Sequence, residues 1–478
     1  MRNSKFGLLL FTVLLLFNCK KRVQKIVEEP NQVVLLEGES NMAGAGNKLE
    51  KYSHEPFTIL NMFPDHGFTD PHTIIDNGRL FLFGGHDESW NTVDTWRMDR
   101  WEIWSTSNLK DWKHESNIFP KDTYIGNYSN CWAGDIIKKD DKYYWYFSNK
   151  NIDTGVMVSD SPTGPFKDVL GKPLLPKDII KGHPYDPEVY EENGVYTMFF
   201  SAGTYYAVTL ADDMISLADK PQPIVVKTKD GKKKFTNDKS TVFKKGDNYY
   251  LVWGSNYAMS KHLRGPYIYQ GKFLKGGHNN VFQWNGQWYV IMENKDISLF
   301  YRGVSLKPLY FNEDGTIKIP KGDKEYPHDG RTWTFSHSEM GWKTVKGPHL
   351  EWNKNGSIKG KVSKNTTIES SMWLLTNLTN YHTLEIKLKN QSEATQARVS
   401  IASYDIEKGK RFWLDNKIYW EKEQSVFIDI VPNSNEFLSY TIDLSKVENL
   451  KTFLKQLRIE PAVREKKGSW EIEYISIK

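Results

Sequence analysis

One pattern recurs five times in this chain: a polar residue, two or three apolar positions, a turn built on Gly or Asp, and an aromatic-rich strand. The copies read "TDPHTIIDNGRLFLFGG", "WAGDIIKKDDKYYWYFS", "YDPEVYEENGVYTMFFS", "NDKSTVFKKGDNYYLVWG" and "GHNNVFQWNGQWYVIME". Their turn residues, Gly78, Asp141, Gly194, Asp247 and Gly286, are 63, 53, 53 and 39 positions apart, which leaves room in each unit for two more strands. "WEIWSTSNLKDWKHES" and "TGVMVSDSPTGPFKDV" read as such strands after the first two copies. Helical periodicity is nearly absent. A small antiparallel sheet covers both its faces only when neighbours pack on it radially, so the repeats predict an all-β fold, a five-bladed β-propeller over residues 51–340.

From residue 345 the pattern changes to short strands with period-two alternation, among them "HTLEIKLKN", "ARVSIASYD" and "GSWEIEYISIK". These predict a β-sandwich, jelly-roll-like, over 345–478. Its exposed-aromatic candidates are Trp413, Tyr419 and Trp420, whereas Trp373 lies in an apolar run and is expected in the core.

At the other end, Arg2 and Lys5 precede an apolar stretch from Phe6 to Phe17 that suits a signal-peptide core and is too short to span a bilayer. Cys19 follows where a lipoprotein signal places its lipidated cysteine. The expectation is a signal peptide over 1–19, a polar tether over 20–50, and an exported monomer held by a lipid at the bacterial outer membrane or periplasm. Cys131 is then left without a partner, so stability comes from burial. The net charge of +5 is spread over 64 basic and 59 acidic residues, and the basic run "KTKDGKKKF" reads as a solvated loop, which sets nucleic acid aside.

In a propeller the first strand of each blade lines the central channel, so the polar residues that open these strands converge. Asp70, Asp135, Asp186, Asp238 and His278 are such residues. Two or three carboxyl groups around one cavity, in a chain with 14% aromatics, suit glycosidic-bond hydrolysis. One carboxylate must be ionised to activate water or attack carbon, and another must hold a proton for the leaving oxygen.

The motifs "FTDPHTII", "WRMDRWEIWSTSNLKDW", "CWAGDIIKKDDKYYWYFS", "YDPEVYEENGVY", "GHNNVFQWNGQWYV" and "YRGVSLKPLYFNEDGTIKI" together resemble glycoside hydrolase family 43 over residues 60–320. The resemblance implies inverting hydrolysis of arabinosyl, xylosyl or galactosyl linkages in plant or algal glycans. By motif, Asp70 matches the general base, and Asp186 the aspartate that tunes and orients the donor. The family's fourth-blade Glu-Gly-Pro is replaced here by "NDKSTVF", with Asp238 at the glutamate position. Three readings stand: Asp238 is a shortened general acid; Glu188 or His278 donates instead, as a histidine does in related propeller hydrolases; or the chain is a surface glycan-binding lipoprotein without hydrolysis. His86, Trp132, Glu188 and Arg302 are substrate-binding candidates. The resemblance also implies a hydrated calcium ion in the channel with His278 as ligand, the alternative being a hydrogen-bonded structural histidine.

Overall fold

The computed structural model describes residues 56–318 and 331–478. The expected signal peptide with Cys19 and the tether lie outside them. Each of the five repeats forms one four-stranded antiparallel sheet. The innermost strands are Phe68–Asp76, Cys131–Lys139, Glu188–Glu192, Ser240–Lys245 and Asn279–Trp284, and each pairs through its turn with the aromatic strand that follows. Blade 4 also takes Val226–Lys227 in parallel on its outer edge. The ring closes where Ile59 and Met62, ahead of blade 1, hydrogen-bond to Leu306 and Val304 of blade 5. Phe63, Phe68, Leu82, Phe282, Tyr289 and Leu306 then share one apolar cluster across that junction. Such burial carries the ring, at about 25 cal/mol per Å² of apolar surface removed from water.

The C-terminal region packs a six-stranded sheet on a five-stranded one around Trp333, Trp342, Ile386, Leu457 and Trp470. It begins earlier than the expected residue 345: Arg331–Trp333 already pairs with Ser469–Ile477 in the sandwich. Trp373 is fully buried, as its apolar run predicts. Cys131 is buried and unbridged. No helix among the described residues is long and apolar enough to cross a membrane.

The innermost strands carry two superposed rings of side chains. Aligned by register, Asp70, Ala133, Asp186, Asp238 and His278 face the open end of the channel. The residues two further on, His72, Asp135, Glu188, Ser240 and Asn280, form the ring beneath. There His72 Nδ1 lies 2.6 Å from Asp135, its Nε2 3.2 Å from Glu188, and Asn280 Nδ2 3.5 Å from His72. Asp135 therefore belongs to the lower ring, because "AGD" aligns with "DPH" and not with its Asp alone.

Candidate active site

Asp70 and Asp186 each stand just before a proline with positive φ, 52° and 56°. For a residue with a Cβ that conformation costs on the order of 1 kcal/mol and persists only where the surroundings enforce it. Here it kinks the strand entrance: the ladder of blade 1 shifts between Thr69 and His72. The kink turns both carboxylates into a cleft of about 470 Å³. Trp96, Trp132, Asp238, His278, Glu293 and Arg302 also line that cleft.

His278 links the acids. Its Nδ1 is 2.5 Å from Asp70 Oδ1, and its Nε2 is 3.7 Å from Asp238 and 3.9 Å from Asp186. Gly277 permits this approach, because a Cβ there would fall 2.3 Å from the Glu293 carboxylate. Arg302 supports the floor, donating to Asp87 through Nε (3.0 Å) and Nη2 (2.8 Å) and to Glu293 through Nη1 (3.0 Å), with Asp70 3.6 Å away.

These contacts separate the acids electrostatically. Burial works to raise the Asp70 pKa, but the charges of His278 and Arg302 outweigh it and hold the carboxyl well below the usual range. Burial dominates at Asp186; with the negative charges of Asp238 and Asp70 it outweighs His278 and pushes the pKa up to about 7. Glu293 is also pushed to about 7, first by burial, against the pull of Arg302. Asp238, whose side chain is 46% exposed, ends below its ordinary value: partial burial raises it, and the hydrogen bond and charge of His278 bring it down. His278 is raised well above the ordinary imidazole value, Asp70 outweighing the burial that opposes its charge.

The cleft thus gathers Asp70, Asp186, Asp238, His278, Trp132 and Arg302, and it leaves out two expected substrate contacts. His86 lies on the opposite strand face from its neighbour Asp87, which meets Arg302; its Nδ1 is 2.8 Å from Asp99 and its ring packs edge-on to His66. Glu188 lies in the lower ring, where the Val242 N–H donates to it at 3.0 Å. Counting two residues on from Asp186 predicts the same face, and Glu188 does face the channel, but two residues along the strand is one ring deeper, below the cleft. Sequence reasoning missed Glu293 and Trp96. A glutamate inside the apolar run "YVIMEN" was the available signal for the first; the second is placed by the other domain, and no local signal marks it.

Trp96 donates through Nε1 to the Leu299 carbonyl, and Leu299 N–H donates in turn to the carbonyl of Trp373 in the sandwich. Trp413 packs edge-on against Trp96, with ring centroids 5.5 Å apart. Trp413 is therefore a prop of the cleft wall. Trp420 lies under the Arg458 guanidinium at 4.0 Å, and Tyr419 is exposed.

Several acidic groups are close enough to hold a metal ion: Asp70–His278–Glu293 and Asp186–Asp238–His278 in the cleft, and His72–Asp135–Glu188 in the lower ring. Their surroundings argue against a divalent cation. In the cleft Asp70 already has His278 Nδ1 at 2.5 Å and the Arg302 guanidinium at 3.6 Å, so an ion on that carboxylate would meet the positive charge of the arginine. In the lower ring the Lys239 Nζ stands 3.2 Å from Glu188, so an ion on that carboxylate would meet a like charge.

Residues 66–317 match the family model described as glycosyl hydrolases family 43. Among curated relatives, an arabinoxylan arabinofuranohydrolase of Paenibacillus polymyxa is 25% identical over 55% of this chain and 52% of its own. A xylosidase/arabinosidase of Bacteroides ovatus is 23% identical over 55% of this chain and 98% of its own. The chain spans about half the length of the first of these. A GH43_1 enzyme from Xanthomonas citri, solved with xylose, superposes with a TM-score of 0.50 at 19% identity, over 57% of this chain and 96% of that one, and shares the fold. Since the family match covers just over half of the 478 residues and contains every blade and every acid of the cleft, the chain belongs to glycosyl hydrolase family 43.

Proposed function

We propose that this chain hydrolyses arabinosyl, xylosyl or galactosyl linkages of plant or algal glycans with inversion, Asp70 acting as general base on water. The supporting observation is the electrostatic split within one cleft: Asp70 is held ionised while Asp186, facing the same imidazole, is pushed up to about 7. The reaction needs an ionised base and a store of protons in one cavity, and Asp70 and the Asp186–His278 pair supply them, the pair feeding whichever group delivers the proton. Between Asp70 and Asp238 stands one imidazole with a contact on either side. Inverting pairs keep their carboxyls wider apart, about 6.5–9.5 Å, to leave room for water, and the reading requires that separation of Asp70 and Asp238. Trp96 and Trp132 supply flat apolar faces for a sugar ring. A screen of nitrophenyl pentosides and galactosides, with product anomers followed by NMR, tests the reading. An inverted first product is expected; retention, or no turnover on any glycoside, would overturn it.

In this reading Asp238 delivers the proton to the leaving oxygen, His278 beside it serving as proton reservoir. The lowered pKa of Asp238 favours a second arrangement, with His278 itself the donor. Leaving-group dependence separates them. With Asp238 as donor, Asp238→Asn is expected to lose about 100-fold or more on poor leaving groups and to recover on activated ones, whereas His278→Gln loses on both. The opposite pattern would assign the proton to His278.

A further inference from the structure

Between the two rings of the channel lies a third set of positions, Pro71, Gly134, Pro187, Lys239 and Asn279, one in each blade. Four are small, cyclic or neutral. The fourth blade's Lys239 is fully buried, and it sends its side chain down into the lower ring. Its Nζ there lies 3.2 Å from Glu188 Oε2, 3.2 Å from the Pro187 carbonyl and 3.1 Å from the Ser240 carbonyl, so three oxygens meet the three protons of an ammonium. Asp135 and His72 complete the ring around Glu188.

Two further features mark this placement as specific. Lys239 occupies the glycine position of the Glu-Gly-Pro pattern and still holds φ at 45°, a conformation that suits glycine and strains a lysine. Its backbone N–H donates to Asp186 Oδ2 at 3.1 Å, and Asp238 is the preceding residue. One residue therefore ties the cation of the lower ring to two acids of the upper one.

We propose that the Lys239 ammonium is the resident cation of the propeller axis, standing where a divalent metal ion would otherwise bind, so that the fold and the cleft are independent of calcium. Buried carboxylates need a counter-charge. A covalently attached one is present at unit occupancy whatever the metal supply. Lys239 is on this argument a positioning residue, acting through Glu188 and Asp186.

The test uses the full chain after exhaustive dialysis against chelator, with melting temperature and calcorimetric titration of calcium chloride as readouts. The unaltered chain is expected to melt within about 1 °C of the same temperature in millimolar calcium or in chelator and to give no binding heat at this site. Lys239→Gly, which suits the backbone, and Lys239→Met, which keeps most of the length without the charge, are both expected to melt lower. Calcium should raise the melting temperature of Lys239→Gly by about 5 °C once in large excess over its dissociation constant, since the vacated acids then form a cation site. The proposal is overturned if the unaltered chain loses stability on chelation and regains it with calcium, if the two variants melt like their parent, or if Lys239→Gly binds calcium no better. Should the glycine variant fail to fold, the melting and titration of the unaltered chain still decide.

Discussion

Asp70→Asn is expected to lower kcat on glycosides about 100- to 10,000-fold while leaving KM nearly unchanged, because an amide preserves the shape of the cleft and cannot take a proton from water. The same change removes the negative charge 2.5 Å from His278 and 3.6 Å from Arg302. Arg302 keeps Asp87 and Glu293 as partners, so the fold should survive. His278 loses its nearest charge partner, and its imidazole should titrate lower in the variant than in the parent, which NMR of the ring protons reads directly. Full turnover in the variant would remove Asp70 from the reaction. An unmoved His278 titration would mean that the ion pair does not form in solution.

Arg302→Met is expected to cost stability on the order of 3–5 kcal/mol, since it strands buried carboxylates that share one guanidinium. Asp87 is the most exposed to this loss: it is fully buried and accepts three bonds from Arg302, two from the side chain and one from the backbone N–H. Its pKa is raised by burial even with the arginine in place, and that of Glu293 stands at about 7. Removing Arg302 moves both further up. A carboxyl whose folded pKa exceeds its unfolded value contributes stability that is fully present below the unfolded pKa and is lost as pH rises through the folded one. The deficit of the variant should therefore be smaller at pH 5 than at pH 8. Urea unfolding at the two pH values measures it, and an equal deficit at both would show that Arg302 matters through packing alone.

How far the sequence could be read depended on whether a local rule survived folding. The blades were legible because each repeat carries its own turn and its own aromatic strand, and such signals are settled within about twenty residues. Asp70, Asp186, Asp238 and His278 were legible for the same reason: each opens an innermost strand. Glu188 and Asp135 were not, because placing them means knowing that two residues along an innermost strand is one ring deeper in the channel and that the second copy aligns on Ala133. His86 failed on strand parity, which its neighbour Asp87 decides. Lys239 and Glu293 escaped although both lie within the repeated units, because neither is the polar residue that opens an innermost strand. One was hidden by its place beside a more conspicuous acid, and the other sits midway along the second strand of its blade, Gln287–Ser298.

The seam between the two domains bears on how this protein can be divided. Lys295 and Leu299, both on the cleft wall, reach the carbonyls of Leu375 and Trp373 across it, and the indole of Trp373 donates back to Val93. A truncated catalytic fragment ending after the fifth blade would leave those donors facing solvent and one bank of the sugar groove unbuttressed. The sandwich is thus less an interchangeable attachment than a retaining wall, and grafting this propeller onto another appendage would have to rebuild that bank.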